Sequence, residues 1–193
     1  MKRLVIGVTL ALGLAASGAW AAEDAACKNV RFADVGWTDI QVTTGATQVL
    51  LEALGYAPEV KTLSVPVTYA SLKNKDIDVF LGWTPHPVMG EMKIHYLDGM
   101  GDSGFGAATV HTNVRAGYLT ACPNVGKLLS NLKFNLAMEG AMMAPVLKDG
   151  ADPKATALAW LKANPDAPTP WLAGVTTIDG KDAAAAVKAA LAK

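Results

Sequence analysis

The sequence has 193 residues, with 17 basic and 17 acidic side chains and a formal net charge of zero. It contains no cluster of Lys or Arg interleaved with aromatic residues, so nucleic acid is a poor candidate partner. Once an N-terminal leader is removed, the length suits one domain with one sizeable core and argues against two large domains.

Residues 1–21 have the composition of a secretory signal peptide. The positive head MKR is followed by the short apolar run LVIGVTLALGLAA and by AWA, a small-residue cleavage signal. The apolar run is shorter than the roughly 20 residues that span a bilayer, and no later segment approaches that length. We therefore expect residues 22–193 to be exported as a soluble chain.

The two cysteines, Cys27 and Cys122, are predicted to form a disulfide bond, because an exported chain meets an oxidising compartment. The bond would close a loop of about a hundred residues, for which chain entropy gives at most roughly 4 to 5 kcal/mol. The alternative is a catalytic thiol. It lacks support, because no His or Lys adjacent in sequence indicates a depressed thiol pKa.

The first half of the chain alternates between strand and helix patterns. In order, these are a strand at 30–35, a helix with its apolar face at 42–54, a strand at 59–63, a helix after Ser64 and a strand at 77–81. This order builds a parallel sheet with right-handed crossovers. Thr38 or Asp39 can cap the first helix, and Gly55 suits a left-handed cap at its end.

The second half is predicted to return across the sheet and then to form helices. Strand-like segments occur at 92–97 and 107–111. Predicted helices follow Pro123, span 135–148, begin at Asp152 and span 182–193. A GxGxxG match at 99–104 precedes a strand-like run rather than a helix, so we interpret it as a loop and not as a dinucleotide site. Trp160 and Trp171 are assigned to packing.

Two tryptophans follow predicted parallel strands, Trp37 after the first and Trp83 after the third. Open α/β sheets place ligand crevices at such carboxyl ends, so the two indoles could face one ligand. The alternative is that each indole packs under a loop. Two aromatic faces suit a cation without N–H donors, such as a quaternary ammonium. Asp39 could add a carboxylate for that charge or for a ligand hydroxyl, and its alternative role is a helix N-cap.

Metal binding and catalysis find little support in the sequence. The three histidines, His86, His95 and His111, have separations that fit no compact ligand motif. His86 lies beside Trp83 and could line the crevice, and its alternative role is in a turn between two prolines. The sequence contains no GxSxG elbow, so we expect neither an enzyme nor a cofactor.

Three runs, VRFADVGWTDI, VKTLSVPVTYASLKNKDIDVFLG and GAATVHTNVRAGYLTACPNVGKLL, resemble the periplasmic choline-binding proteins of ABC importers, within the wider glycine betaine and choline substrate-binding family. The resemblance implies a type II periplasmic-binding-protein-like α/β fold, with a parallel or mixed sheet flanked by helices. It also implies a receptor of two lobes that closes on a quaternary ammonium and delivers it to a membrane permease. Trp37 and Asp39 match the family's aromatic-box tryptophan and its neighbouring polar contact.

The sequence departs from this family at one place. Family members carry two Phe-Leu-Gly segments followed by tryptophan, whereas here DIDVFLG resembles the first, GWTPHP resembles the second, and they meet near residues 82–83. We therefore predict that residues 22–193 form a single α/β lobe in the periplasm, that the second lobe is missing, and that Trp83 stands for one of two box tryptophans. Choline binding should then be weak. The alternative is a remnant lobe that acts only as a structural or interaction protein, and a homodimer could bring two half sites together.

Overall fold

The computed structural model describes residues 22–84, 95–97 and 109–193. It contains one mixed sheet in the strand order β2-β1-β3-β5-β4. The strands are β1 (Asn29–Asp34), β2 (Ala57–Thr62), β3 (Val79–Thr84), β4 (His95–Leu97) and β5 (Thr109–Val114). β1 pairs in parallel with both β2 and β3, whereas β5 is antiparallel to β3 and β4. The predicted class of a parallel or mixed α/β sheet is confirmed.

The helices of the described residues are α1 (Thr38–Ala53), α2 (Val65–Asn74), α3 (Tyr118–Ala121), α4 (Pro123–Asn131), α5 (Leu136–Asp149), α6 (Pro153–Ala163) and α7 (Ala183–Leu191). α1 contacts β1, β2 and β3, and it also packs against α5, α6 and α7. α1 therefore lies between the sheet and a layer of C-terminal helices. None of the helices in the described part of the chain is both long and apolar enough to cross a membrane.

The packing of α1 against α6 explains why a glycine stands in the interior of α1. A Cβ atom on Gly45 would lie 2.8 Å from the Cα atom of Lys154, so the backbones of α1 and α6 approach closely at this point. The buried residues of α1 include Ile40, Val42 and Leu50, which pack in the same core as Phe32 of β1. Protein interiors are close-packed, so the contact between α1 and α6 leaves no room for an added methyl group at Gly45.

The predicted disulfide bond is present. Cys27 and Cys122 are joined with their Cα atoms 5.6 Å apart and 95 residues apart in sequence. Cys27 ends a short 3-10 turn, Ala25–Cys27, just before β1, and Cys122 lies between α3 and α4. The bond therefore ties the amino end of β1 to the helical region after β5.

Several local predictions agree with the structure. Gly55 follows the end of α1 with a φ angle of +91°, the left-handed conformation expected of such a cap. Trp171 is buried and its ring centroid lies 5.0 Å from that of Phe134. Trp160 is partly buried against the core. The packing roles of the two C-terminal tryptophans are confirmed.

The predicted cap of α1 is wrong. Trp37 is the N-cap residue and makes no side-chain capping hydrogen bond, while Thr38 and Asp39 are the first two helical residues. The chain enters the helix one residue early because the Asp34 carboxylate accepts the Gly36 N–H at 2.7 Å, and Gly36 turns the backbone at φ +83°. β3 is also longer than predicted, so Trp83 lies within the strand rather than after it. The GxGxxG match at 99–104 lies outside the described residues.

Candidate functional site

The candidate site lies at the edge of the sheet where β1 and β3 end. β1 finishes at Asp34, and Trp37 stands at the start of α1 three residues later. Phe32 pairs in parallel with Val79, so β3 continues past the end of β1 and carries Trp83 to the same edge. The backbones of the two tryptophans therefore reach one edge of the sheet.

Trp37 exposes an unusually large apolar surface. Its exposed fraction is 41%, whereas Phe32 and Ala33 in the strand before it are fully buried. It belongs to a group of exposed large hydrophobics whose other members are Val60, Val67, Leu136 and Leu147. An exposed aromatic at a strand end is a candidate contact for a ligand.

The turn that presents Trp37 is held by one aspartate. Asp34 accepts the Gly36 N–H through Oδ1 at 2.7 Å and the Gln41 Nε2 amide through Oδ2 at 3.0 Å. Both oxygens are thus used to join the end of β1 to the first turns of α1. Because this turn is fixed from both sides, Trp37 is carried on a defined backbone.

Asp39 lies in the first turn of α1, two residues after Trp37, and is partly buried. Burial raises the pKa of its carboxyl above the usual value, and backbone N–H groups of Ile40 and of Asp39 itself oppose that shift. A desolvated carboxylate lowers its free energy when a cation approaches. The pKa shift therefore agrees with a role in contacting positive charge, a role that stays a prediction.

A second carboxyl group, Glu139, was missed by the sequence analysis. It lies in the first turn of α5, which begins after the N-cap Asn135 and packs against α1. Burial, and next the negative charge of Asp39, raise the pKa of Glu139 to about 7. The sequence carries a capping signal at Asn135, but nothing local indicates that the two helices place their acidic first turns together.

Asn113 was also missed. This fully buried side chain donates from Nδ2 to the backbone oxygen of Phe80 at 3.1 Å and, more weakly, to that of Gly82 at 3.4 Å. It therefore fixes the backbone of β3 directly before Trp83. Gly82 itself is required, because a Cβ atom there would lie 2.1 Å from the ring of Phe80.

The histidines do not assemble into a site in the described residues. His86 lies outside them, and its predicted place in the crevice stays a prediction. His111 pairs with Gly82 across β3 and β5, and His95 pairs with Val114 across β4 and β5. Within the ranges 22–84, 95–97 and 109–193, no group of three or more His, Cys, Asp or Glu side chains could hold a metal ion.

A groove of about 340 Å³ runs beside the candidate site but is not identical with it. It is lined by Asp34, Gln41, Thr44, Gln48, Val60, Asp152, Pro153 and Lys154. Neither Trp37 nor Asp39 contributes to this lining. The exposed indole and the desolvated carboxyl mark the candidate site, because aromatic and charged groups bind cations.

Comparison with known proteins gives a family match. A model of the substrate-binding domain of ABC-type glycine betaine transport systems matches residues 28–85 and 66–163. Together the two matches cover more than half of the chain. They overlap at residues 66–85, so this segment serves both matches.

Two curated relatives are longer than this chain. The glycine betaine/carnitine transport binding protein GbuC of Listeria monocytogenes is 29% identical over 168 residues, which are 87% of this chain and 50% of that protein. An uncharacterised protein, ORF1, of Chromohalobacter salexigens is 62% identical over 60 residues, which are 31% of this chain and 39% of that protein. The chain thus spans half or less of the length of these relatives.

A solved structure supports the fold. An ABC-transporter choline-binding protein in complex with choline matches with a TM-score of 0.81 and 34% sequence identity, and the match covers 88% of this chain and 100% of that chain. The type II periplasmic-binding-protein-like architecture implied by the sequence resemblance is confirmed.

Proposed function

The chain belongs to the family of substrate-binding domains of ABC-type glycine betaine transport systems, and from this premise we propose that it binds choline or glycine betaine for uptake. The ligand would be held by Trp37, Asp39 and Trp83. The family consists of substrate-binding domains, so the prediction that the chain is not an enzyme is confirmed.

One observation carries the proposal: Trp37 presents an exposed indole two residues before the partly desolvated carboxyl of Asp39. A quaternary ammonium has no N–H donors, so its charge is best met by aromatic faces and by a carboxylate. Each aromatic face contributes roughly 0.5 to 2 kcal/mol. Asp39 would add attraction for the charge or accept a hydrogen bond from a ligand hydroxyl. The choline complex of a relative 34% identical to this chain supports the same ligand class.

Export and partners belong to the same proposal. Residues 1–21 would direct the chain to the periplasm, where it would deliver its ligand to an ABC permease in the inner membrane. The composition of the leader supports export. A charge balance of 17 acidic and 17 basic residues leaves no reason to invoke nucleic acid.

We further propose that the site is half of the family's site, with a join near residues 82–83. The overlap of the two family matches at 66–85 supports this, since the same segment lies in both matches. The 50% coverage of the Listeria relative supports it as well. Good small-molecule sites bury roughly 70 to 90% of their ligand, which one lobe does not achieve. Two aromatic faces alone give about 1 to 4 kcal/mol, hence millimolar binding at best.

The same overlap favours a second candidate function, a remnant lobe that folds without useful binding. It would act, if at all, as a structural or interaction protein. The predicted homodimer finds no support in the comparisons and stays a prediction. Size-exclusion chromatography with and without choline tests it, because a dimer completed by ligand would elute earlier only in the presence of choline.

Calorimetric titration of choline into the oxidised chain 22–193 tests the proposal, with Trp37→Ala as the critical variant. Leu147→Ala is the matched control, since Leu147 is an exposed apolar residue, 68% exposed, in α5. Saturable heat that is lost in Trp37→Ala and kept in Leu147→Ala supports the site. A micromolar Kd for the monomer would contradict the half site, and absence of heat in all three proteins would favour the remnant.

A further inference from the structure

A second polar pocket lies at the end of the sheet opposite Trp37. It has a volume of about 280 Å³ and is lined by Ala26, Asn29, Arg31, Asp78, Arg115 and Tyr118. These residues come from the amino ends of β1 and β3, the carboxyl end of β5 and the start of α3. None of the residues assigned to the quaternary ammonium contributes to it.

The charges of this pocket are organised around Asp78, which is buried with an exposed fraction of 2%. Arg31 donates from Nη2 to Oδ1 at 2.8 Å and from Nε to Oδ2 at 2.9 Å, while Arg115 donates from Nε to Oδ1 at 2.6 Å. Burial raises the pKa of Asp78, but the hydrogen bonds from the two arginines outweigh it and hold the pKa below its usual value. Two guanidinium groups on one carboxylate leave the lining with a net positive charge.

Several donors remain in this pocket after these bonds are made. Nη1 of Arg31 and both Nη atoms of Arg115 have no partner among the described residues. The hydroxyl of Tyr118 is buried and also has no hydrogen-bond partner in the described part of the chain. The guanidinium carbon of Arg115 lies 4.8 Å from the centroid of the Tyr118 ring. A buried hydroxyl without an acceptor is uncommon, so this donor needs an acceptor that the described protein groups do not supply.

We propose that this pocket binds a small oxyanion, a carboxylate or phosphate group, between Arg31, Arg115 and the hydroxyl of Tyr118. The oxygens of such a group accept paired N–H donors from a planar guanidinium, and a charge-assisted bond of this kind is stronger than a neutral one. One of these oxygens also accepts a hydrogen bond from the Tyr118 hydroxyl, which gives that buried donor a partner.

Two further carboxylates lie near the pocket but are not part of its lining. Asp76 is exposed to solvent and therefore screened. Glu23 is already engaged, because it accepts the hydroxyl of Tyr56 at 2.7 Å and the backbone N–H of Asn124 at 2.5 Å. Neither carboxylate supplies an acceptor to the Tyr118 hydroxyl, which has no partner among the described residues.

The alternative is a purely structural cluster that joins β1, β3 and β5. Tyr118→Phe separates the two, because it keeps the ring under Arg115 and removes only the hydroxyl. In a structural cluster, loss of an unpartnered buried hydroxyl leaves stability unchanged or raises it under all conditions. In an anion site, the variant is at least as stable as wild type without anion and gains less stability when anion is added.

The experiment is a titration of the oxidised chain 22–193 with inorganic phosphate and, separately, acetate, against sodium chloride at matched ionic strength. The Nε–Hε NMR signals of Arg31 and Arg115 localise binding, and thermal unfolding measures stabilisation. We expect saturable shifts with a millimolar Kd, weakened roughly two- to tenfold in Tyr118→Phe. Lys148→Gln, which removes one positive charge outside the lining, and Trp37→Ala should keep the wild-type affinity for phosphate.

The outcomes test the oxyanion site independently of choline binding. Saturation by phosphate, by acetate or by both, with weaker binding in Tyr118→Phe, supports the site and identifies the preferred oxyanion. Shifts equal to those in chloride, shifts that do not saturate, or an unchanged Kd in Tyr118→Phe would overturn it.

Discussion

Replacement of Glu139 by Gln should stabilise the protein above neutral pH. Burial and the charge of Asp39 raise the pKa of Glu139 from 4.5 to about 7 in the folded state. Between these two values the folded protein binds more protons at Glu139 than the unfolded chain does, so stability falls as pH rises through this window. Glutamine has the same shape and no charge, and it removes this dependence.

The magnitude follows from the two pKa values. A shift from 4.5 to about 7 corresponds to about 3 kcal/mol if the group is fully shielded from water. Glu139 is only partly buried, so solvent screening reduces this figure, and we expect ~1 kcal/mol. The free energy of unfolding of Glu139→Gln should match wild type near pH 4.5 and exceed it by that amount at pH 8.

Urea unfolding at pH steps from 4.5 to 8 measures this difference directly. Glu52→Gln is the matched control, because it removes an exposed carboxylate that pairs with Lys154 at 2.6 Å. Asp39→Asn removes the negative charge that helps to raise the pKa of Glu139. In this variant the fall in the free energy of unfolding should therefore end at a lower pH than in wild type. A Glu139→Gln curve that runs parallel to wild type from pH 4.5 to 8 would refute the reasoning.

Reduction of the Cys27–Cys122 bond should lower the free energy of unfolding by at most roughly 4 to 5 kcal/mol, measured by urea unfolding with and without reductant; equal midpoints would contradict this. Gly45→Ala should destabilise by roughly 1 to 3 kcal/mol, because the new Cβ would lie 2.8 Å from backbone atoms of α6. Gly140→Ala lies in a helix with nothing within 4 Å of the new Cβ, so it should instead stabilise the protein by about 0.5 to 1 kcal/mol. Calorimetric melting of both variants gives the sign of each change in stability, and two changes of the same sign would refute the packing argument. Asp78→Asn should lower the free energy of unfolding strongly, but by less than the roughly 3 to 5 kcal/mol of a fully buried pair, since its partner Arg31 is 32% exposed. Urea unfolding at pH 7 tests this, and a decrease in the free energy of unfolding below about 1 kcal/mol would contradict it.

The elements that the sequence predicts well are those whose signals are local. The strand at 30–35 and the helix that follows it are marked by alternation, by helical spacing and by Gly36 and Gly55, and the structure has both. The end of β3 was misplaced by three residues because its last part is stabilised by pairing with β5, a contact 25 or more residues away in sequence. Local periodicity carries no information about such a partner.

The same distinction separates the site residues that were predicted from those that were missed. Trp37 and Asp39 share one turn, so their neighbourhood is visible in the sequence. Glu139 approaches Asp39 only because α5 packs on α1. Asn113 reaches the carbonyl of Phe80 across 33 residues. The role of a buried polar residue can be predicted only when its hydrogen-bond partners are known, and those partners are set by the tertiary fold.

In the proposed half site, stability and ligand binding are separable because of the way the sheet is paired. β3 continues directly into pairing with β5 over six residue pairs, from Val79 with Val114 to Thr84 with Thr109. Asn113 adds side-chain hydrogen bonds to β3, and the Cys27–Cys122 bond ties the far end of the same sheet. In the proposed half site, a longer connection between β3 and β5 would cost loop-closure entropy of about 0.6 kcal/mol per doubling of its length. In the proposed half site, a lobe removed from this connection takes away ligand contacts but little of the core, so the chain would fold well and bind choline weakly.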